Sequence, residues 1–197
     1  MLSELAEMDF EDNIVDLNYM KQHKEQIFSQ VEHLISTLEE FRSFFRPNKN
    51  IVLFDVTTAL ESVLLLVKDE FIKNMIEVEL KNEVNFDLEG IENEFKHIIL
   101  NIINNAKDAF NEKGTQDRKI EIRLFESEGK KEIEISDNAG GIPNYIIKDI
   151  FKPNVTTKAE GKGTGIGLYM SDQIAQKMGM KLSVYNANDG AIFSLKT

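Results

Sequence analysis

Cysteine is absent from the 197-residue chain, which excludes disulfides and thiolate metal sites and fits a reducing compartment. Positive charge is scarce. Lys and Arg number 23 against 34 Asp and Glu, a net charge of −11, and a phosphate-backbone partner wants the opposite balance. Nucleic acid is therefore not an expected partner, and any lysine that meets phosphate has to be a local exception. No run of about 18 apolar residues and no signal-peptide pattern occurs, so no membrane contact is expected of this segment. Internal repeats and low-complexity tracts are also lacking.

The 42% hydrophobic content is near that of globular proteins, and the length suffices for one full domain and a smaller appendage. The appendage comes first. From Asn13 to Arg46, Leu17, Val31, Leu38 and Phe45 fall seven or fourteen apart, with Met20, Ile27, Leu34 and Phe41 three residues after each register point. Only Lys24 breaks this heptad seam, which is sustained over about four repeats. Phe28 and Ile35 widen the stripe, which suits a helical bundle better than a two-stranded coil. One helix cannot bury such a stripe alone, so self-association through residues 13–46, a partner helix, or both are expected.

Pro47 and Asn48-Lys49-Asn50 read as a linker. Asp55 is the expected N-cap of a helix to about Lys73, with Ala59, Val63, Leu66 and Val67 on its apolar face. A strand is expected at Ile76–Leu80 and a helix over Ile91–Asn111, closed by Gly114. Strands follow at Lys119–Phe125 and Lys130–Ser136, then a helix from near Gly165 to Lys177, then strands at Lys181–Asn186 and Ala191–Lys196. The pattern predicts an α/β sandwich with a mixed sheet covered on one face by helices.

Two glycine clusters bracket a polar, lysine-bearing loop: Asp137-Asn-Ala-Gly-Gly-Ile-Pro143, and Gly161-Lys-Gly-Thr-Gly-Ile-Gly-Leu168. Asp137 stands at the end of a strand, where an ionised carboxylate accepts hydrogen bonds from an exocyclic amine such as that of adenine. Gly140 and Gly141 let the backbone turn beside a flat ring. The second cluster opens a helix, whose unpaired N–H groups and dipole favour phosphate. A dinucleotide-binding fingerprint is a poor fit, because a charged loop and not a strand precedes those glycines. On the Ile91–Asn111 helix, His97, Asn101, Asn105 and Asp108 share one face beside the apolar stripe. Neutral amides there can offer an oxygen to Mg²⁺ and a donor to phosphate.

These motifs, in this order, resemble the ATP-binding catalytic domain of sensor histidine kinases, in the superfamily shared with DNA gyrase, the mismatch-repair ATPases and a heat-shock chaperone. The resemblance covers residues 48–197: an N-box at Asn101–Ala109, a first glycine box at Asp137–Pro143, a phenylalanine box at Ile150–Lys158 and a second glycine box at Gly161–Leu168. Residues 1–47, ending in Glu40-Phe-Arg-Ser-Phe-Phe-Arg-Pro47, resemble the second helix of the dimerisation and histidine-phosphotransfer bundle. The resemblance implies ATP and Mg²⁺ as cofactors, with Asn105 on the metal and Asn101 beside it. Asp137 would meet the adenine amine, backed by Gly141 and Ile142. A lid over Tyr145–Lys162 would be anchored by Phe151, with Lys158 or Lys162 reaching phosphate. Gly163, Gly165 and Gly167 would cradle the triphosphate, together with Thr164, Ile166 and Leu168.

Two positions depart from the family pattern. Ala139 stands where many relatives have glycine, and Asp108 where many have a phosphate-contacting lysine. In the hydrolytic relatives a glutamate heads the N-box and activates water; here that place is Asn101, and an amide is no base. Weak hydrolysis and transfer to a histidine are expected. No phosphoacceptor box is recognisable: His23, with Glu25 two residues on, lacks the expected proline, while His33 and His97 read as rim or surface residues. The chain is thus expected to be a kinase piece lacking the first bundle helix that carries the histidine. A response regulator receiver domain would be its downstream partner, and the location cytoplasmic, as in the cytoplasmic part of a membrane-bound sensor. A nucleotide-holding scaffold is the alternative, and a serine/threonine-directed kinase is disfavoured by Asn101.

Overall fold

The computed structural model describes residue 21 and residues 24–31, 50–158 and 163–197. The chain divides into two units, Met1–Arg46 with Lys158–Gly163, and Pro47–Thr157 with Thr164–Thr197. In the first, residues 24–31 are helical, and Ile27, Phe28 and Val31 present exposed side chains. The other heptad positions, His23 and His33 lie outside the described residues.

The second unit is built from β1 (Val52–Asp55), α1 (Val56–Lys73), β2 (Ile76–Asn82), β3 (Asp87–Gly90), α2 (Glu92–Lys113), β4 (Arg118–Ser127), β5 (Lys130–Asp137), α3 (Gly167–Lys177), β6 (Lys181–Ala187) and β7 (Gly190–Lys196). Five strands form one sheet in the order β2-β4-β5-β7-β6. The β2–β4 pair is parallel and the remaining pairs are antiparallel, so the sheet is mixed as expected.

Period-two alternation decides its faces. Ile120, Ile122 and Leu124 of β4, Ile133 and Ile135 of β5, and Phe193 and Leu195 of β7 are buried. The helices complete the core with Phe95, Ile99, Ile102 and Phe110 of α2, Leu60 and Val63 of α1, and Ile174 of α3. The alternate positions on β2, β4, β5 and β6, with Glu83 just past β2, form a polar ladder. Lys81 pairs with Glu121, Arg123 Nε donates to Glu83 at 2.7 Å, and Tyr185 Oη donates to Glu134 at 2.8 Å.

The helix ends follow their caps. Asp55, the last residue of β1, accepts from the Thr58 N–H at 2.7 Å, and this hydrogen bond lowers its pKa. Gly114, at φ +65°, closes α2 with its N–H on the Phe110 carbonyl. Two expectations are corrected. Leu66 is 73% exposed, because the stripe centred on Leu60, Val63 and Val67 turns it to the flank, and Phe71 completes the buried row instead. The stretch after the expected linker is also a strand: β1 pairs with β3 in a separate two-stranded sheet. At four residues each, neither strand is long enough to show alternation in the sequence.

Candidate functional site

Asp137 ends β5, and the chain then turns through Asn138–Pro143 under three restraints. Asn138 holds the head of β4, its Nδ2 donating to the Asp117 carbonyl at 2.6 Å and its Oδ1 accepting from Lys119 N–H at 2.8 Å. Gly140 and Gly141 take φ +77° and +69°, the left-handed region that favours glycine. Ala139 is buried and donates its N–H to Asp137 Oδ1 at 2.8 Å. The alanine departure therefore leaves the turn intact, its methyl packed inside.

The floor of this turn comes from the β6–β7 hairpin, which sequence reasoning missed as part of the site. Asn186 Oδ1 accepts from Ile142 N–H at 2.8 Å, and its Nδ2 donates to the Ile142 carbonyl at 2.7 Å. The Gly140 N–H donates to the Asp189 carbonyl at 2.6 Å. Ala191 N–H reaches Asp137 Oδ1 at 3.3 Å. Asn188 and Asp189, at φ +51° and +61°, make the tight reversal. The available signal was Asn-Asp-Gly between two apolar runs, a hairpin-turn signature, but nothing in it announced contact with a loop some 45 residues upstream. Asn186→Ala is expected to cost about 1 kcal/mol and to weaken nucleotide binding severalfold by loosening Ile142; parallel unfolding and binding titrations check both.

The carboxylate itself is half-buried, and its desolvation raises its pKa. The Ala139 and Ala191 N–H groups and the charge of Lys113 oppose that shift. Both backbone donors fall on Oδ1, which leaves Oδ2 as the acceptor without a donor among the described residues. A carboxyl whose folded-state pKa stands above its unfolded value adds stability below the unfolded pKa, and that contribution is lost as pH rises through the folded value. Asp137→Asn keeps an oxygen for the two N–H donors. It is therefore expected to gain stability relative to wild type as pH rises from the unfolded carboxyl value of about 4 through the raised folded value; urea unfolding at a series of pH values from there upward checks it, and a pH-independent difference would contradict it.

The second glycine box is braced from α2. Asn101 Nδ2 donates to the Gly167 carbonyl at 3.2 Å and to Ser171 Oγ at 3.1 Å, and Ser171 Oγ donates to the same carbonyl at 3.0 Å. Gly165 takes φ +63°, and its carbonyl accepts from Asn154 N–H at 3.0 Å. A Cβ on Gly165 would meet Asn154 C at 2.6 Å, so the glycine lets the phenylalanine-box turn close onto the start of α3. Thr164 Oγ1 accepts from Ile166 N–H at 3.3 Å, and α3 begins at Gly167, two residues later than expected. Ile142, Thr164, Gly165, Ile166, Gly167 and Leu168 are half-buried.

In the intervening segment Ile150 is the buried residue and Phe151 is half-buried, so the inward anchor is the residue before the expected one. Asn105 and Asp108 stay half-buried on the α2 face with Asn101. Asn104, between Asn101 and Asp108 on the helix surface, has a buried Oδ1 without a hydrogen-bond partner; nothing in the sequence singled it out. Lys158 and Gly163 belong to the other unit, and Lys162 lies outside the described residues.

The chain is similar to known proteins in the same sense. The description "Histidine kinase-, DNA gyrase B-, and HSP90-like ATPase" matches residues 90–197. The two-component sensor PprA of Pseudomonas aeruginosa is 30% identical over 187 residues, 92% of this chain and 20% of that protein. Sporulation kinase C of Bacillus subtilis is 27% identical over 89% of this chain and 40% of its own length. The chain thus spans well under half the length of these curated relatives. The catalytic domain of histidine kinase ThkA superposes with a TM-score of 0.65 at 23% identity, over 75% of this chain and 94% of that one. A structure of ThkA in complex with response regulator protein TrrA gives a TM-score of 0.72 at 18% identity, over 99% of this chain and 55% of that one. With a match to more than half of its residues and the same mixed-sheet fold as the ThkA catalytic domain, the chain belongs to the histidine kinase-, DNA gyrase B- and HSP90-like ATPase family.

Proposed function

We propose that this domain binds a magnesium nucleotide between the Asn101–Asp108 face of α2, the Asp137–Ile142 turn and the start of α3. The γ-phosphate then passes to a histidine on the first helix of a dimerisation bundle. The observation that carries the reading is Asp137, a half-buried carboxylate with one oxygen held by two backbone N–H groups and the other left for a ligand's amine.

The residues present fit the cofactors. Gly141 and Gly165 keep the chain close where side chains would intrude: a Cβ on Gly141 would come within 2.8 Å of Asn186 Oδ1. Among the described residues no group of three or more His, Asp or Glu is arranged to hold a metal. Mg²⁺ would therefore rest on phosphate oxygens and the amide oxygen of Asn105, the sparse hard-oxygen set usual for it. When bound, it would offset negative charge on the phosphates. Asn104 Oδ1, an acceptor left over on the same face, suits the ion's hydration shell.

The protein's own groups position the substrate and do not attack it. Asn101 spends both amide hydrogens on Gly167 and Ser171, fixing the first turn of α3 so that its unpaired N–H groups can meet phosphate. It abstracts no proton, so water is not activated and transfer outruns hydrolysis. In this reading Gly163, Thr164, Ile166 and Leu168 continue the phosphate cradle and Ile142 lines the purine. Phe151 sits on the lid, and Lys158 or Lys162 closes on the phosphates in place of the lysine that many relatives carry where this chain has Asp108.

Residues 1–47 form the second bundle helix and self-associate through 13–46, as the heptad spacing supports. A receiver domain takes the phosphate onward, as the ThkA pairing with a response regulator suggests by analogy. No described helix is long and apolar enough to cross a membrane; the cytoplasmic location belongs to the proposal. The test is to mix the chain with the first bundle helix of its parent kinase and γ-labelled ATP. Acid-labile phosphohistidine on the helix is the expected result; tight ATP binding with no label would favour a nucleotide-holding scaffold.

A further inference from the structure

Lys113, the last residue of α2, was not singled out by the sequence. Its Nζ donates to the Gly141 carbonyl at 2.8 Å. A Cβ on Gly140 would fall 3.1 Å from that Nζ and 3.3 Å from Lys113 Cδ, so the side chain lies along the whole glycine turn. We propose that Lys113 is a positioning and specificity-determining residue at the purine end of the site: it fastens the Gly140–Gly141 turn and, by its charge, reserves the Asp137 carboxylate for an amine donor, favouring adenine over guanine. This rests on the nucleotide reading above.

The chemistry follows from the two bases. At the same ring position adenine presents an amine and guanine a carbonyl oxygen. An ionised carboxylate accepts from the amine and repels the carbonyl, whereas a protonated carboxyl can donate to the carbonyl. Burial pushes Asp137 towards the protonated form, and Lys113 is the cation that opposes it. The other charged groups on the surrounding elements are Asp117 and Lys119 at the head of β4, paired with each other at 3.3 Å, and Asp189 in the β6–β7 turn. Because Lys113 is exposed, its effect is screened and modest.

The experiment titrates the full chain with Mg-ATP and Mg-GTP across about pH 5 to pH 8, comparing wild type, Lys113→Met and Lys113→Arg. Amide NMR of Gly140 and Gly141 without nucleotide reads the turn directly. Lys113→Met is expected to lose about threefold in ATP affinity near neutrality. Its ATP preference should collapse at a higher pH than in wild type, and the two glycine amides should move; Lys113→Arg should restore all three. If wild type binds nucleotide but Lys113→Met keeps the same ATP-to-GTP ratio at every pH, or if Lys113→Arg is as impaired as Lys113→Met, the assignment of Lys113 is overturned and the site stands. If wild type binds neither nucleotide, the nucleotide reading itself fails, and this assignment fails with it.

Discussion

Replacing Asp137 with asparagine is expected to lower ATP affinity by about 3 kcal/mol, roughly two orders of magnitude, while leaving the domain folded. Two terms add. The hydrogen bond from the adenine amine to a charged acceptor is lost, and hydrogen bonds to charged groups are the stronger kind. The asparagine oxygen is already claimed by the Ala139 and Ala191 N–H groups, so its NH₂ takes the place of Oδ2 and faces the adenine amine, donor against donor. The same geometry explains why the fold survives, since the oxygen that braces the β6–β7 hairpin is retained. Calorimetric titration with Mg-ATP, run beside a thermal melt, separates affinity from stability. Unchanged affinity in a folded Asp137→Asn protein would show that the adenine lies elsewhere.

Gly190→Ala is expected to damage the domain and the site together. A Cβ at Gly190 would lie 1.5 Å from the Asp137 carbonyl oxygen and 2.5 Å from its carbon, contacts that only backbone movement can relieve. The hairpin would have to leave β5, taking with it the Ala191 N–H and the Asp189 carbonyl that holds Gly140. Overpacking against backbone belongs to the costly class of substitutions, at about 3 kcal/mol or more, or a fall of about 10 °C in Tm for a domain of this size. Gly179→Ala is the control: its φ is +71° with nothing within 4 Å, so it carries backbone strain alone, about 1 kcal/mol. Thermal melts of the two variants side by side make the comparison. Equal losses in both would remove the close approach of Gly190 and Asp137 from the account.

The long periodic elements were legible because burial writes itself into spacing. The α2 stripe and the alternating β4, β5 and β7 strands recur in the structure within a residue or two of their expected ends. Asp137 and the glycine turns were legible for another reason: local backbone geometry demands glycine, and an acidic strand end needs a purpose. What stayed hidden depends on contacts distant in sequence. Asn186 and Gly190 matter because two loops about 45 residues apart close on each other, and Lys113 because the C-terminus of α2 overhangs the Gly140–Gly141 turn. Leu66 was misplaced because a helix stripe is a continuous angle, and a residue on its flank resembles a core residue until its neighbours are in place. The sequence sets the Asn101 amide apart as no base, but its structural task, holding the first turn of α3, is visible only with Ser171 and Gly167 beside it.

The central claim is that a magnesium nucleotide lies between the amide face of α2 and the two glycine turns. Amide NMR of the isotope-labelled chain, titrated with Mg-ADP, tests it most directly. The account predicts saturable shifts confined to the Asn105 side-chain amide and to the backbone of Gly140, Gly141, Gly165 and Gly167. No shift at saturating nucleotide, or shifts clustered on the outer flank of α1 around Leu65 and Ile72, would contradict it.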